Sequence, residues 1–192
     1  MNARPAVPSA AAVRAAAGLV ALALGFGACR LPYVPGFTPA FPSAVANLSD
    51  ANGRVVGHAV LLQERGSVRI LLDVAGVAPG VKGVHIHEIG QCDPPSFESA
   101  GAHFNPGKAQ HGAGNPHGPH AGDLTNIVVD NTGRGHLEFT DKRVTLEKKG
   151  STTLLDANGS AVVIHEKVDD MRTDPEGDSG ARVACGVIIR TD

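Results

Sequence analysis

His85 and His87 stand in the run Val84-His85-Ile86-His87-Glu88, and their spacing is the first sign of chemistry in this chain. In an extended strand, residues i and i+2 project from one face, so two imidazoles two positions apart aim at one point. More nitrogen and oxygen donors follow: His103, His111, His120 and Asp123, then His165 in Val162-Val163-Ile164-His165-Glu166. Neutral imidazole is the commonest protein ligand for copper and zinc, and a carboxylate can complete a zinc site. These groups suffice for two metal ions. A single strand histidine is ordinarily a half-exposed surface residue, but the chain has nine histidines and most of them fall into this pattern.

Such donors need a scaffold, and several runs read as strands. Residues 53–63 and 67–74 flank the turn-like Glu64-Arg65-Gly66, which suits a hairpin. Residues 126–129 and 136–140 flank Asp130-Asn131-Thr132-Gly133-Arg134-Gly135, a second hairpin candidate. Residues 161–165 and 183–190 complete the apolar runs, and no stretch after the N-terminal segment has helical periodicity. With 24 Gly, 13 Pro and no Trp, the composition suits a loop-rich all-β domain built as a sandwich or barrel.

Residues 90–122 differ: rich in Gly and Pro, with four histidines and no sustained periodicity. An irregular loop of this length in a compact domain is usually functional or disordered. His103, His111, His120 and Asp123 can converge if the loop wraps an ion, whose ligand bonds offset the ordering entropy. The loop therefore reads as a zinc loop. His58 and His136 lie in strand-like runs and read as ordinary strand side chains.

The N-terminus reads as an export signal over residues 1–28. Arg4 and Arg14 supply positive charge, and residues 15–28 form an apolar stretch short for a membrane-spanning helix. It ends in Gly25-Phe26-Gly27-Ala28-Cys29, which resembles a bacterial lipoprotein processing site with Cys29 lipidated as the first mature residue. Phe26 stands where Leu is usual, and an ordinary cleaved secretory signal is the alternative. Pro32, Pro35, Pro39 and Pro42 make residues 29–43 a tether ahead of a domain spanning 44–192. The expected location is periplasmic or elsewhere in the cell envelope, with membrane attachment through Cys29. Setting Cys29 aside leaves Cys92 and Cys185, an even pair that in an exported protein is either a disulfide or two buried thiols. The net charge of −2 argues against general nucleic-acid binding.

Five ordered segments carry a resemblance to the copper/zinc superoxide dismutase family. They are Gly83-Val84-His85-Ile86-His87-Glu88, Ala100-Gly101-Ala102-His103-Phe104-Asn105-Pro106, His120-Ala121-Gly122-Asp123-Leu124, Val163-Ile164-His165-Glu166-Lys167 and Arg182-Val183-Ala184-Cys185-Gly186-Val187-Ile188. The resemblance spans residues 45–190. It implies a flattened, eight-stranded Greek-key barrel or sandwich of immunoglobulin-like type, with long metal-binding and electrostatic loops.

Carried over position by position, the resemblance assigns copper to His85, His87, His103 and His165, and zinc to His103, His111, His120 and Asp123. His103 would be shared as a bridging imidazolate, and His117 falls outside the pattern. Superoxide would be dismuted to dioxygen and hydrogen peroxide by copper(II)/copper(I) cycling, with zinc structural and His103 delivering a proton. Arg182 would attract and orient the anion, and Cys92 would pair with Cys185. Closing so long a loop stabilises by ~4–5 kcal/mol in the chain-entropy model, less any strain. Asp169 lies at the spacing of the family's outer carboxylate, where it would orient His85 and His111. The alternative is a solvated acidic loop with Asp170, Asp174, Glu176 and Asp178. Glu176 and Asp178 put more negative charge ahead of Arg182 than the family pattern suggests, which bears on rate rather than reaction.

Two rival functions share this scaffold: an exported, non-catalytic copper/zinc-binding protein, and a sandwich module for adhesion or assembly. The complete copper ligand set with Arg182 favours the enzyme over both. Whether the chain works alone or as a homodimer is not legible in the sequence.

Overall fold

The computed structural model describes residues 43–191, so the export segment, Cys29 and the proline-rich run up to residue 42 lie outside the described residues. Ten strand segments follow in order: β1 (Ser43–Asp50), β2 (Val55–Glu64), β3 (Ser67–Ala75), β4 (Gly80–Lys82), β5 (Val84–His87), β6 (Ile127–Val129), β7 (Arg134–Asp141), β8 (Ala161–His165), β9 (Arg182–Val187) and β10 (Ile189–Arg190). The only helix among the described residues is a 3-10 turn over Glu98–Ala100. Gly83 alone separates β4 from β5, and Ile188 alone separates β9 from β10. Joining each interrupted pair turns the ten segments into the eight strands that the resemblance implies.

Neighbouring strands run in the order β4-β6-β7-β3-β2-β1-β9-β8-β5, with β10 also on β1. The two ends of that path, β4 and β5, are consecutive in the chain, so the covalent link through Gly83 closes the barrel. All pairings between these strands are antiparallel, and β3 lies beside β7 rather than β4. That displacement is the Greek-key connection.

Alternation explains the long strands. In β3, Ile70, Leu72 and Val74 are buried while Asp73 and Ala75 face solvent. The β2–β3 turn is Arg65-Gly66, with Gly66 at φ 77, and Glu64 faces Ser67 across it. In the second hairpin Asp130 Oδ1 accepts the N–H groups of Thr132 and Arg134. The apolar pattern does not flag β1 or β4. Ala44, Ala46 and Leu48 bury one face of β1, but alanine and serine carry little strand signal.

Strand β8 is buried on both faces. Val162 and Ile164 join the barrel interior, whereas Ala161 and Val163 pack with Phe97, Ala100 and Cys185 in a second cluster. The outer face of β8 is therefore roofed by the long loop after β5. A disulfide between Cys92 and Cys185 fastens that roof to β9 across a sequence separation of 93 residues. Cys92→Ser/Cys185→Ser should destabilise the fold by about 2–5 kcal/mol, the usual cost of losing a native disulfide. Reversible denaturant unfolding of oxidised parent and variant checks this, and equal midpoints would refute it.

Candidate metal centre

Strand β5 sets His85 opposite Val163 and His87 opposite Ala161, placing both imidazoles on the roofed face. Only one edge of β5 is paired with a strand, and the long loop takes up the other. The N–H of Ile86 donates to Gly122 O (2.8 Å), that of Phe104 to Ile86 O (2.8 Å) and that of Gly122 to Phe104 O (2.8 Å). Isolated antiparallel bridges then set His103 beside His87 and Asp123 beside His85. Hydrogen bonding along one strand edge thus delivers loop residues to strand residues. His165, the last residue of β8, arrives from the other side, its N–H donated to Gly83 O at 2.9 Å.

Two donor groups result. His85, His87, His103 and His165 each offer a ring nitrogen, all within 4.8 Å of one another, and His85, His103, His111 and Asp123 meet the same limit. His120 completes the second cluster around one oxygen. The Nδ1 atoms of His103, His111 and His120 lie 3.0, 3.1 and 3.2 Å from Asp123 Oδ1. His103, like His85, belongs to both groups; its Nδ1 faces Asp123, while its Nε2 is buried with no hydrogen-bond partner.

Outer partners decide which nitrogen each ring leaves free. A carbonyl can only accept, so His87 must donate Nδ1–H to Gly101 O (2.9 Å) and His165 Nδ1–H to Gly180 O (3.1 Å). Their Nε2 lone pairs then face each other at 3.4 Å. Asp169 accepts His85 Nε2–H on Oδ2 (2.8 Å) and His111 Nε2–H on Oδ1 (2.9 Å). One carboxylate thereby orients a ring in each group, leaving His85 Nδ1 buried without a hydrogen-bond partner and turning His111 Nδ1 toward Asp123 Oδ1. Asp169 is itself held by Asn126, which exchanges two hydrogen bonds of 2.9 Å with its backbone.

Charge follows burial. Desolvation pushes His85 down to about 3, against the pull of Asp169, and His165 down to about 4. His87 and His103 are lowered by burial too, so the four rings of the first group are neutral at pH 7 with lone pairs available. His111 is the exception. Burial would lower it, but hydrogen bonds to Asp123 and Asp169 outweigh burial and raise it to about 9. Burial would raise Asp123 and Asp169, yet their histidine partners hold both carboxyls well below the usual range.

Arg182, at the start of β9, is nearly buried beside the first group, its side chain 8% exposed. It donates to Phe97 O and Gly101 O, each at 2.8 Å, and Gly101 O is also the acceptor of His87. Its charge adds to the lowering of His87 and His165. Glu176 and Glu98 stand 3.8 and 3.9 Å from its Nη2, so part of its charge is offset. A cavity of about 380 Å³ reaches His103 and His120, with Glu176 on its lining.

The remaining histidines stay apart. His58 bonds Asn47, His136 bonds Asp73, and His117 lies exposed on the loop. Other contributors carried no sequence signal. Asp174 Oδ1 accepts the His111 N–H at 2.6 Å. Gly177, at φ 63, packs against Asp169 and His111, and a Cβ there would lie 2.6 Å from His111 Nε2 and closer still to Asp169. Their sequence distance from the histidines hides them.

Buried lone pairs without hydrogen-bond partners call for protons or metal ions, and a neutral imidazole set beside a three-imidazole, one-carboxylate set fits copper and zinc. The fold and site together define a closed antiparallel β-barrel carrying two adjoining metal-ligand groups on its roofed face. Residues 55–188 match the copper/zinc superoxide dismutase (SODC) family, and the chain belongs to that family. It is 43% identical over 144 residues to Cu-Zn superoxide dismutase 1 of Aquifex aeolicus, covering 74% of this chain and 85% of that one. It is 36% identical over 181 residues to the Cu-Zn superoxide dismutase of Deinococcus radiodurans, covering 88% and 92%. Among solved structures, a SOD-like protein from Bacillus subtilis superposes with a TM-score of 0.73 at 38% identity, covering 76% of this chain and 97% of that one. Copper and zinc are the cofactors that family and site share.

Proposed function

We propose that the chain is a superoxide dismutase in which His85, His87, His103 and His165 hold copper, and His103, His111, His120 and Asp123 hold zinc. The observation that supports the assignment is His103, a member of both donor groups with Nδ1 3.0 Å from Asp123 Oδ1 and Nε2 buried without a hydrogen-bond partner. Bound copper supplies one-electron redox chemistry, while zinc, which has none, supplies fixed charge and a closed site. Two superoxide anions and two protons give one dioxygen and one hydrogen peroxide. His103 Nε2 is the atom at which a product proton is held and released. Arg182 supplies the charge that attracts and orients the anion, and the His87–Gly101–Arg182 linkage keeps that charge beside the copper ligands. Glu176 tempers it.

Metal analysis joined to a superoxide assay tests this reading. Loaded protein should hold about one copper and one zinc per chain, since the shared donor set suits one ion of each. Superoxide loss should require the copper. Two zinc ions that copper cannot displace, without superoxide loss, would establish the non-catalytic metal binder instead.

Zinc binding should be linked to pH through His111. With its metal-free pKa raised to about 9, His111 contributes stability to the metal-free protein fully below pH 6.5, lost as pH rises through about 9. Its Nδ1 must shed a proton to bind zinc. At pH 7–8 zinc uptake should release about one proton, and affinity should climb about tenfold per pH unit until pH approaches 9. Calorimetry in buffers of different ionisation heat measures the release; none at pH 7 would contradict a zinc-bound His111.

The disulfide suits an oxidising compartment. We further propose export, with residues 1–28 removed and Cys29 lipidated ahead of a tether. Mass spectrometry of the mature N-terminus tests this, and an unmodified start downstream of Cys29 would leave an unanchored exported protein.

A further inference from the structure

Zinc-loop backbone is clamped from outside the loop. Arg143, two residues beyond the end of β7, donates Nη1–H to the carbonyl of His120 (3.0 Å) and Nη2–H to that of Asp123 (2.7 Å). The same guanidinium donates Nε–H and Nη2–H to Asp141 at 2.8 and 3.0 Å, and the Arg143 backbone N–H adds a third bond of 2.8 Å. Asp141 is the last residue of β7 and is buried, so its carboxylate is a fixed point of the barrel. Arg143 is thus aimed by a strand at two carbonyls of the loop, and both hydrogen bonds go to backbone rather than to ligand side chains.

The segment it grips is held from inside as well. Asp123 Oδ2 accepts the N–H of Gly112 (2.8 Å) and of His120 (2.9 Å), closing the turn on itself. That turn carries two of the four zinc ligands assigned above. We propose that Arg143, oriented by Asp141, is a positioning residue that sets zinc affinity by fixing the backbone of His120–Asp123 before the ion arrives. The inference rests on that zinc assignment. A loop with little apolar core of its own must otherwise be ordered at the moment of binding, which weakens the apparent affinity. A guanidinium forks across two carbonyls and a carboxylate at once; an ammonium cannot.

Removing Arg143 alone would strand the buried Asp141 carboxylate and disturb the fold for another reason. The decisive variant is therefore Asp141→Asn/Arg143→Met, with Arg143→Lys beside it. Zinc affinity of the metal-free, disulfide-intact chain would be measured by competition with a chromophoric chelator. Cobalt(II) in the zinc position would report ligand geometry through its visible spectrum, and thermal melting of the metal-free chains and copper affinity would serve as controls. The double variant should bind zinc about 10–100-fold more weakly, the usual effect of losing an outer partner of a metal site. Its cobalt spectrum should shift, Arg143→Lys should fall between, and metal-free melting and copper affinity should stay near the parent's. Parent-like zinc affinity and cobalt spectrum in the double variant would overturn the proposal. So would equal losses of zinc affinity, copper affinity and metal-free stability, which would mark a merely structural residue. A parent chain that takes up no zinc would instead overturn the zinc assignment, so the two failures are distinguishable.

Discussion

His103→Ala should abolish most superoxide loss while leaving both metals able to bind. His103 is the one residue shared by the two proposed ligand sets, and its Nε2 is buried with no hydrogen-bond partner. Zinc would retain His111, His120 and Asp123, with a water taking the vacant position. Copper would retain His85, His87 and His165. The two ions would no longer share a ligand, so the copper(II) spin-resonance spectrum should become insensitive to zinc. Activity should fall by at least about 100-fold, the lower end of what a positioned proton donor contributes. His117→Ala is the matched control, because His117 lies exposed on the same loop outside the cluster. A zinc-sensitive copper spectrum and parental activity in His103→Ala would reassign the bridge.

Arg182→Ala should lower activity by about tenfold and flatten its dependence on ionic strength, at unchanged metal content. Superoxide dismutases are themselves a standard example of electrostatic steering, so this magnitude follows general experience with such enzymes rather than any distance in this chain. What the structure adds is a division of labour. The guanidinium both carries charge and holds the carbonyls of Phe97 and Gly101. Arg182→Lys keeps the charge and loses the fork, so its salt dependence should resemble the parent's even where its rate falls. Glu176→Gln removes a carboxylate 3.8 Å from Arg182 and should act in the opposite direction, raising the rate at low ionic strength. Stopped-flow superoxide decay over a range of salt concentrations resolves these cases. Identical rates and salt slopes in Arg182→Ala and the parent would remove Arg182 from the reaction.

Strand periodicity made the His85/His87 pair legible, because an i, i+2 relation survives any tertiary arrangement that keeps the strand. Both hairpins were legible for the same local reason: Gly66 and the Asp130–Gly133 turn carry their geometry in a few residues. The loop histidines were legible as a set, since a long stretch poor in apolar residues needs something else to order it. Asp169 could be singled out by its family spacing, but its two hydrogen bonds exist only where His85 and His111 have been brought together from 84 and 58 residues away.

Other features depended on tertiary structure altogether. β4 is too short to carry a pattern, and its role is topological: with β5 it closes the barrel through Gly83. Neither Arg143 nor Gly177 stands in any motif or spacing that singles it out in the sequence. The fold places the first on the carbonyls of His120 and Asp123 and the second against Asp169. Residue type and short-range spacing determined which atoms could bind metal. Which nitrogen of each ring is left free was decided by acceptors such as Gly101 O and Gly180 O, fixed by backbone paths the local sequence does not encode. Hydrogen-bond partners at long range are set by strand order and loop closure, so that choice appears only once the chain has folded.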